Sequence, residues 1–306
     1  MNSMAYPRWL VSAILGAALF LFYLMEQRWH SMGFWLFLGF SLTLGMGHGA
    51  LDTVLLFGQF KPLARALAIG LLYLALTLLS GWLLSFSFSL ALMALLLMSV
   101  WHFGEVYGQF TLLRLAVGGA SLMAPALLQG PALHGLLQGV AAQHLNWLFG
   151  AWTGLAWVWL VLVCSVAFAS LAKEPLSTVL GLSSERTNSR ALREIGIVFC
   201  VNLLLSPLLQ FALYFGLYHC LAHIARVRRA TRGHQDLPIN ILAWVWGGVM
   251  VLTSLLMVVL WQWLPSAGAW AVRLDAQILH WLVVALGAVT LPHLLLVSYS
   301  GRWLGR

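Results

Sequence analysis

Runs of roughly 18 or more apolar residues recur along this chain, and they constrain its fold more than any other feature. A helix needs about 20 such residues to cross ~30 Å of hydrocarbon. A transmembrane barrel would instead show alternating segments of about 10 residues. We read apolar segments at residues 9–25, 33–57, 64–84, 87–109, 111–129, 146–171, 195–225, 238–264 and 277–299. The expected architecture is all-α: a polytopic integral membrane helical bundle of about 8–10 membrane segments, some kinked or re-entrant. No soluble domain fits between the segments, so residues 1–306 read as a single transmembrane domain. The longest polar stretch, 173–193, reads as a loop, with its LSSERTNSR run typical of a surface connection.

Composition supports this reading. Hydrophobic residues are 62% and charged residues 8%, where soluble domains run at about 45–50% and about 25%. So few charges cannot solvate a globule of this size, and intrinsic disorder needs the opposite balance. The net charge of +8 fits cytoplasmic loops under the positive-inside bias. No basic domain outside the membrane is present to hold a nucleic acid. Cys164, Cys200 and Cys220 lie inside apolar runs and are not a disulfide framework. Arg8 and the apolar stretch to Met25 superficially resemble a signal peptide. They lack a clear small-residue cleavage site and read as the first span.

Segment 195–225 is too long for one crossing, since its length as a helix is about 46 Å. A single crossing would set Arg186, Arg190 and Arg193 opposite Arg226, Arg228, Arg229 and Arg232, against the charge bias. A turn back near Ser206-Pro207 leaves only Arg28 and Arg273 on the minority side. That asymmetry implies an even number of passes with both termini cytoplasmic, in a multi-pass protein of the cell inner (cytoplasmic) membrane.

Ionisable residues in hydrocarbon are costly and mark function by default. Four clusters carry them: His48-Gly49-Ala50-Leu51-Asp52, Trp101-His102-Phe103-Gly104-Glu105, Tyr214-Phe215-Gly216-Leu217-Tyr218-His219-Cys220-Leu221-Ala222-His223, and Leu291-Pro292-His293. His219 and His223 are four apart and project from one helix face, within reach of one metal ion. His102 with Glu105, and His48 with Asp52, each pair an imidazole with a carboxylate on one face. A metal-bound histidine commonly donates its other N–H to such a carboxylate. Asp52 and Glu105 suit that part for His48 and His102, or for neighbours across the bundle. A lone membrane histidine such as His293 is as readily a hydrogen-bond partner between helices. His30, His134, His144, His234 and His280 lie at segment ends or in loops. Trp101, Phe103, Tyr107, Tyr214, Phe215 and Tyr218 either line an apolar substrate channel or fill the core. Gly104-x-x-x-Gly108, Gly135-x-x-x-Gly139 and Gly150-x-x-x-Gly154 read as helix-packing patterns. The arginines at 226–232 read as a stop-transfer cluster that touches anionic lipid.

An imidazole-rich set suits iron, zinc, copper or nickel, and not magnesium or calcium. With Cys220 the one thiol nearby, a structural zinc site does not fit. Four neutral imidazoles leave a divalent ion its charge and, in an octahedral ion, open positions, an arrangement that suits Fe(II) and dioxygen.

At these residues the chain resembles the Brp/Blh family of bacterial and archaeal β-carotene 15,15′-dioxygenases. The matching pieces are His48-Gly49-Ala50-Leu51-Asp52, His102-Phe103-Gly104, Tyr214-Phe215 with His219 and His223, and Leu291-Pro292-His293, in matching order and spacing. The resemblance implies an oxidoreductase that cleaves the central double bond of β-carotene with O2, giving two all-trans-retinal, in carotenoid catabolism and retinal biosynthesis. It implies Fe(II) as cofactor, with His48, His102, His219 and His223 as catalytic metal ligands. It places His293 around those ligands or near the substrate, beside Asp52 and Glu105 as read from the spacing, and a C40 polyene that lives in the lipid bilayer can enter sideways between helices. Two departures stand out: Glu105 where relatives often carry Asp nearby, and Cys220 where Ser is frequent. Both bear on substrate identity and efficiency.

Rival expectations remain from the residues alone. One is an intramembrane zinc hydrolase with Asp52 or Glu105 as base. Another is a haem-binding electron carrier, which the His219/His223 pair opposes, since one helix face cannot supply both sides of a haem. A third is an assembly factor for a retinal-binding pump with a vestigial site.

Overall fold

The computed structural model describes residues 8–28, 32–45, 49, 51–52, 55–56, 63–86, 88–107, 110–140, 146–171, 185–231 and 270–300. The expected ligand His48, the segment 238–264, and His30, His144 and His234 lie outside the described residues. The described residues are helical, with no strand among them.

In chain order the helices are α1 (Arg8–Arg28), α2 (Met32–Phe40), α3 (Leu63–Phe86), α4 (Phe88–Phe103), α5 (Thr111–Leu128), α6 (Gly130–Val140), α7 (Asn146–Leu171), α8 (Glu185–Leu204), α9 (Pro207–Ala212), α10 (Leu221–Thr231) and α11 (Trp270–Ser300). Two wide π-helical stretches interrupt them, Ser41–Gly45 after α2 and Leu213–Cys220 between α9 and α10. Among the described residues, five stretches are long and apolar enough to cross a membrane: Leu63–Ser85, Thr111–Leu128, Asn146–Leu171, Pro207–Val227 and His280–Tyr299. On α3, Leu71, Leu78 and Trp82 point outward, as expected where the surrounding solvent is hydrocarbon.

α5 is the hub. In its span 72% of residues are buried, against 11% in the α3 span. Small residues Ala116, Gly118, Gly119 and Ala120 let neighbours come close. A Cβ on Gly118 would lie 1.9 Å from the Val100 carbonyl oxygen, and one on Gly104 would lie 1.8 Å from that of Arg114. The pairing of 100 with 118 and 104 with 114 makes α4 and α5 antiparallel at backbone contact, a small-residue crossing typical of membrane helices. The Arg114 guanidinium donates from Nε to the Trp101 carbonyl at 2.7 Å and stacks 3.8 Å over the Trp101 ring. Gly135, Gly150 and Gly154 meet nothing within 4 Å, so the packing expected of those patterns does not occur among the described residues. They sit on faces of α6 and α7 that no described helix covers, and spacing alone does not say which face of a helix is inward.

The 195–225 segment does turn back. α8 ends at Leu204 and α9 starts at Pro207, with Ser206 as its cap. Pro207 occupies the first turn, where its missing N–H costs nothing. The Ser206 N–H donates to Glu26 Oε2 at 3.0 Å, and its hydroxyl also bonds Glu26. Gln129 Nε2 donates to the Leu205 carbonyl at 2.7 Å and to that of Asn202. The backbone groups opened by the turn are therefore satisfied, as they must be away from water. Twelve residues on either side of Ser206, Glu194 and Tyr218 share a hydrogen bond. Arms of about 18 Å meet at their far ends only if the chain doubles back.

Two expectations about loops are corrected. Residues 185–193 belong to α8 and not to a loop. Arg190 pairs with Glu194 one turn on at 2.9 Å, and Asn188 and Ala191 are buried. The stretch 130–140, read as a connection, is the amphipathic helix α6, whose Leu133 and Leu137 face the core.

Candidate functional site

Four histidines come together where α4, the return arm and α11 meet. His102 is the penultimate residue of α4, His219 lies in the π-helical stretch, His223 in the first turns of α10, and His293 follows Pro292 in α11. All four are buried. The Nε2 atoms of His102 and His219 are 3.2 Å apart. The His102 ring centroid lies 5.0 Å from that of His293 and 6.3 Å from that of His223, and His223 lies 5.4 Å from His293.

The carboxylates divide between them. His293 Nδ1 lies 2.8 Å from both oxygens of Asp52, and the Tyr73 hydroxyl donates to Asp52 Oδ2 at 2.7 Å. His102 Nδ1 is 3.4 Å from Glu105 Oε2, which also faces Arg226 Nη1 at 3.7 Å. Asp52 thus serves a histidine on another helix, and Glu105 the one on its own. Arg226, read as part of a stop-transfer cluster, neutralises a buried carboxylate beside the cluster.

Two glycines let the π-helical stretches close on each other. A Cβ on Gly45 would lie 2.8 Å from the Phe215 ring, and one on Gly216 would lie 2.7 Å from Phe40. Phe215 of the second stretch thus lies over Gly45 of the first, and Phe40 at the end of α2 lies over Gly216. Wide π turns are frequent at functional sites, and here one carries His219 while the other runs toward position 48.

Three of the histidines, His102, His219 and His293, line an apolar cavity of about 210 Å³. Phe211, Phe215 and His219 follow each other at four-residue spacing along its wall, with Phe211 stacked on Phe215 at 5.7 Å and Phe103 4.6 Å from His219. Of the six aromatics singled out from sequence, Phe103 and Phe215 line the cavity. Trp101 stacks under Arg114, and Tyr214 packs behind Phe103 at 5.4 Å. Tyr107 donates to Glu194 Oε2 at 3.0 Å, and Tyr218 bonds the same carboxylate. That carboxylate's hydrogen bond raises the Arg190 guanidinium above its ordinary value. Sequence reasoning missed Phe37 and Phe211 in the wall and Tyr73 beneath Asp52. Phe211 had a signal, its four-residue spacing to Phe215; Tyr73 had none. His134 contacts Asn146 at 3.3 Å and His280 packs on Trp281, both outside the cluster.

Two imidazole nitrogens held about 2.1 Å from one ion at a right angle lie about 3 Å apart. The 3.2 Å spacing of His102 and His219 Nε2 fits such a pair. Among the described residues no group of three or more His, Cys, Asp or Glu is arranged as a metal site, and His48 lies outside them. The donor chemistry, neutral nitrogens backed by buried carboxylates in an apolar surround, suits a borderline transition metal.

The family model described as Beta-carotene 15,15′-dioxygenase matches residues 39–300. The chain belongs to this family. No curated protein matches the chain. No solved structure matches it.

Proposed function

We propose that this member of the β-carotene 15,15′-dioxygenase family is a multi-pass membrane enzyme that cleaves the central double bond of β-carotene with O2 into two all-trans-retinal. The observation that supports this most is the imidazole cluster in the wall of an apolar cavity. A hydrolase would need a path for water and polar groups for a polar substrate, whereas this wall is mostly Leu, Phe, Val and Pro, with Ser99, Ser121 and Thr290 adding hydroxyls. We take the inner (cytoplasmic) membrane as its location, with the carotenoid entering from the bilayer.

His48, His102, His219 and His223 are the proposed ligands of Fe(II), with Asp52, Glu105 and His293 supporting them. Bound there, Fe(II) would supply the activation of dioxygen. The chain's own residues do the rest. Glu105 fixes the ring of His102 through Nδ1, which turns Nε2 toward His219. Asp52, itself held by Tyr73, accepts the Nδ1 hydrogen of His293 and sets that ring's lone pair on Nε2. Phe103, Phe211 and Phe215 hold the polyene beside the imidazoles and exclude water, which would intercept reactive species. Their ring faces also stabilise positive charge that develops on the polyene.

Retinoid chromatography on β-carotene-accumulating bacteria expressing the chain tests this. Retinal should appear with the native chain and vanish with His219→Ala at equal membrane abundance. Orange cells without aldehyde product would overturn the proposal.

A further inference from the structure

The deep end of the cavity points to a specificity device. We propose that Leu133 and Leu137 of α6, with Trp152 of α7, form a stop that seats the end of the carotenoid and so selects which double bond reaches the histidines. The inference rests on the carotenoid-cleaving reading above.

Three elements give the same depth. On α4 the lining runs back from His102 to Leu92, and on α11 from His293 to Val283. Each is ten residues, about 15 Å of helix. On the return arm it runs from His219 back to Pro207, about 18 Å. The antiparallel pairing of 118 with 100 and 114 with 104 sets the end of α5 at Leu128 level with the start of α4, and α6 follows at Gly130 with Leu133, Leu136 and Leu137 in the cavity wall. Leu133 and Leu137 are buried in the same cluster as Leu92 and Leu96. Trp152 is pinned there by its indole N–H, which donates to the Leu122 carbonyl at 3.0 Å. The distance from histidines to stop is comparable with one half of a C40 polyene.

A hydrocarbon chain offers no hydrogen-bonding group by which a protein could fix its position. Its register can be set only by shape, and the bulky terminal ring is the one feature that shape can stop. Among the polar groups in the wall, the Thr290 hydroxyl is already spent on the Leu286 carbonyl at 2.6 Å. Depth therefore decides the bond. With one terminal ring against α6, the midpoint of a symmetric carotenoid lies beside the imidazoles.

The test compares aldehyde products from carotene-accumulating cells that carry the native chain, Leu133→Ala with Leu137→Ala, Leu137→Val, or Leu137→Trp. The native chain should give retinal alone. The deepened double variant should give a longer and a shorter apocarotenal together, with the retinal share lowered about tenfold, the scale of a methylene-sized change in an apolar pocket. Leu137→Val should shift the products in the same direction by less, and covers the case in which the double variant fails to accumulate. Leu137→Trp should cut retinal formation about tenfold while the purified protein keeps its native metal content. Retinal as sole product from the accumulated deepened variants, or native rates from Leu137→Trp, would overturn the stop. Absence of any aldehyde from the native chain would instead overturn the carotenoid reading beneath it.

Discussion

His293 Nδ1 and the carboxylate of Asp52 lie 2.8 Å apart although 241 residues separate them in the chain. Tyr73 closes the other side of that carboxylate. Removing one partner of a buried pair exposes the full desolvation cost of the other, about 1–3 kcal/mol. Asp52→Asn should therefore lower thermal stability by about that amount and reduce retinal formation. Tyr73→Phe should cost less, because His293 still holds the carboxylate. Thermal unfolding in detergent, run beside product analysis, measures both.

Glu105 stands to His102 as Asp52 stands to His293. Carboxylates that orient a ligating histidine are worth about 10–100-fold in metal affinity. Glu105→Gln should release iron at correspondingly lower chelator concentration, with membrane abundance little changed. Iron retention equal to the native protein would remove Glu105 from the support of His102.

Glycine substitutions separate backbone contact from spacing. Gly118→Ala or Gly104→Ala drives a methyl into a carbonyl oxygen. Overpacking of this kind typically costs about 1–3 kcal/mol or more, so both variants should accumulate poorly and lose activity. Gly150→Ala meets open space and should behave as native. Membrane abundance by immunoblot decides between them.

The turn at Ser206 brings the start of α8 and α10 to the same end of the hairpin, which predicts one side of the membrane for both. Ser189→Cys and Ala225→Cys, both exposed positions, should react with an impermeant thiol reagent from the same side in a background free of Cys164, Cys200 and Cys220. Labelling from opposite sides would contradict the hairpin.

Much of this architecture was legible in the sequence because lipid imposes a length. The α7 boundaries at Asn146 and Leu171 coincide with the apolar run, and Ser206-Pro207 announced the reversal through charge balance. The helix α6 escaped because eleven residues with alternating faces do not register as a span. The His219/His223 spacing was visible, since one helix supplies both. The partnership of Asp52 with His293 was not, because it depends on how α11 lies against the stretch that carries Asp52. Nor did the small-residue patterns distinguish Gly104, which touches backbone, from Gly150, which touches nothing. Local spacing fixes which side chains share a face, and only packing fixes what that face meets.

The central claim is iron-dependent cleavage at the histidine cluster, and metal exchange tests it most directly. Purified protein would be stripped with a chelator, reloaded anaerobically with Fe(II) or Zn(II), and supplied with β-carotene and O2. Retinal should form with the iron-loaded native protein, not with the zinc-loaded protein, and not with His219→Ala under either metal. Retinal formation that survives stripping, or returns with zinc, would contradict it.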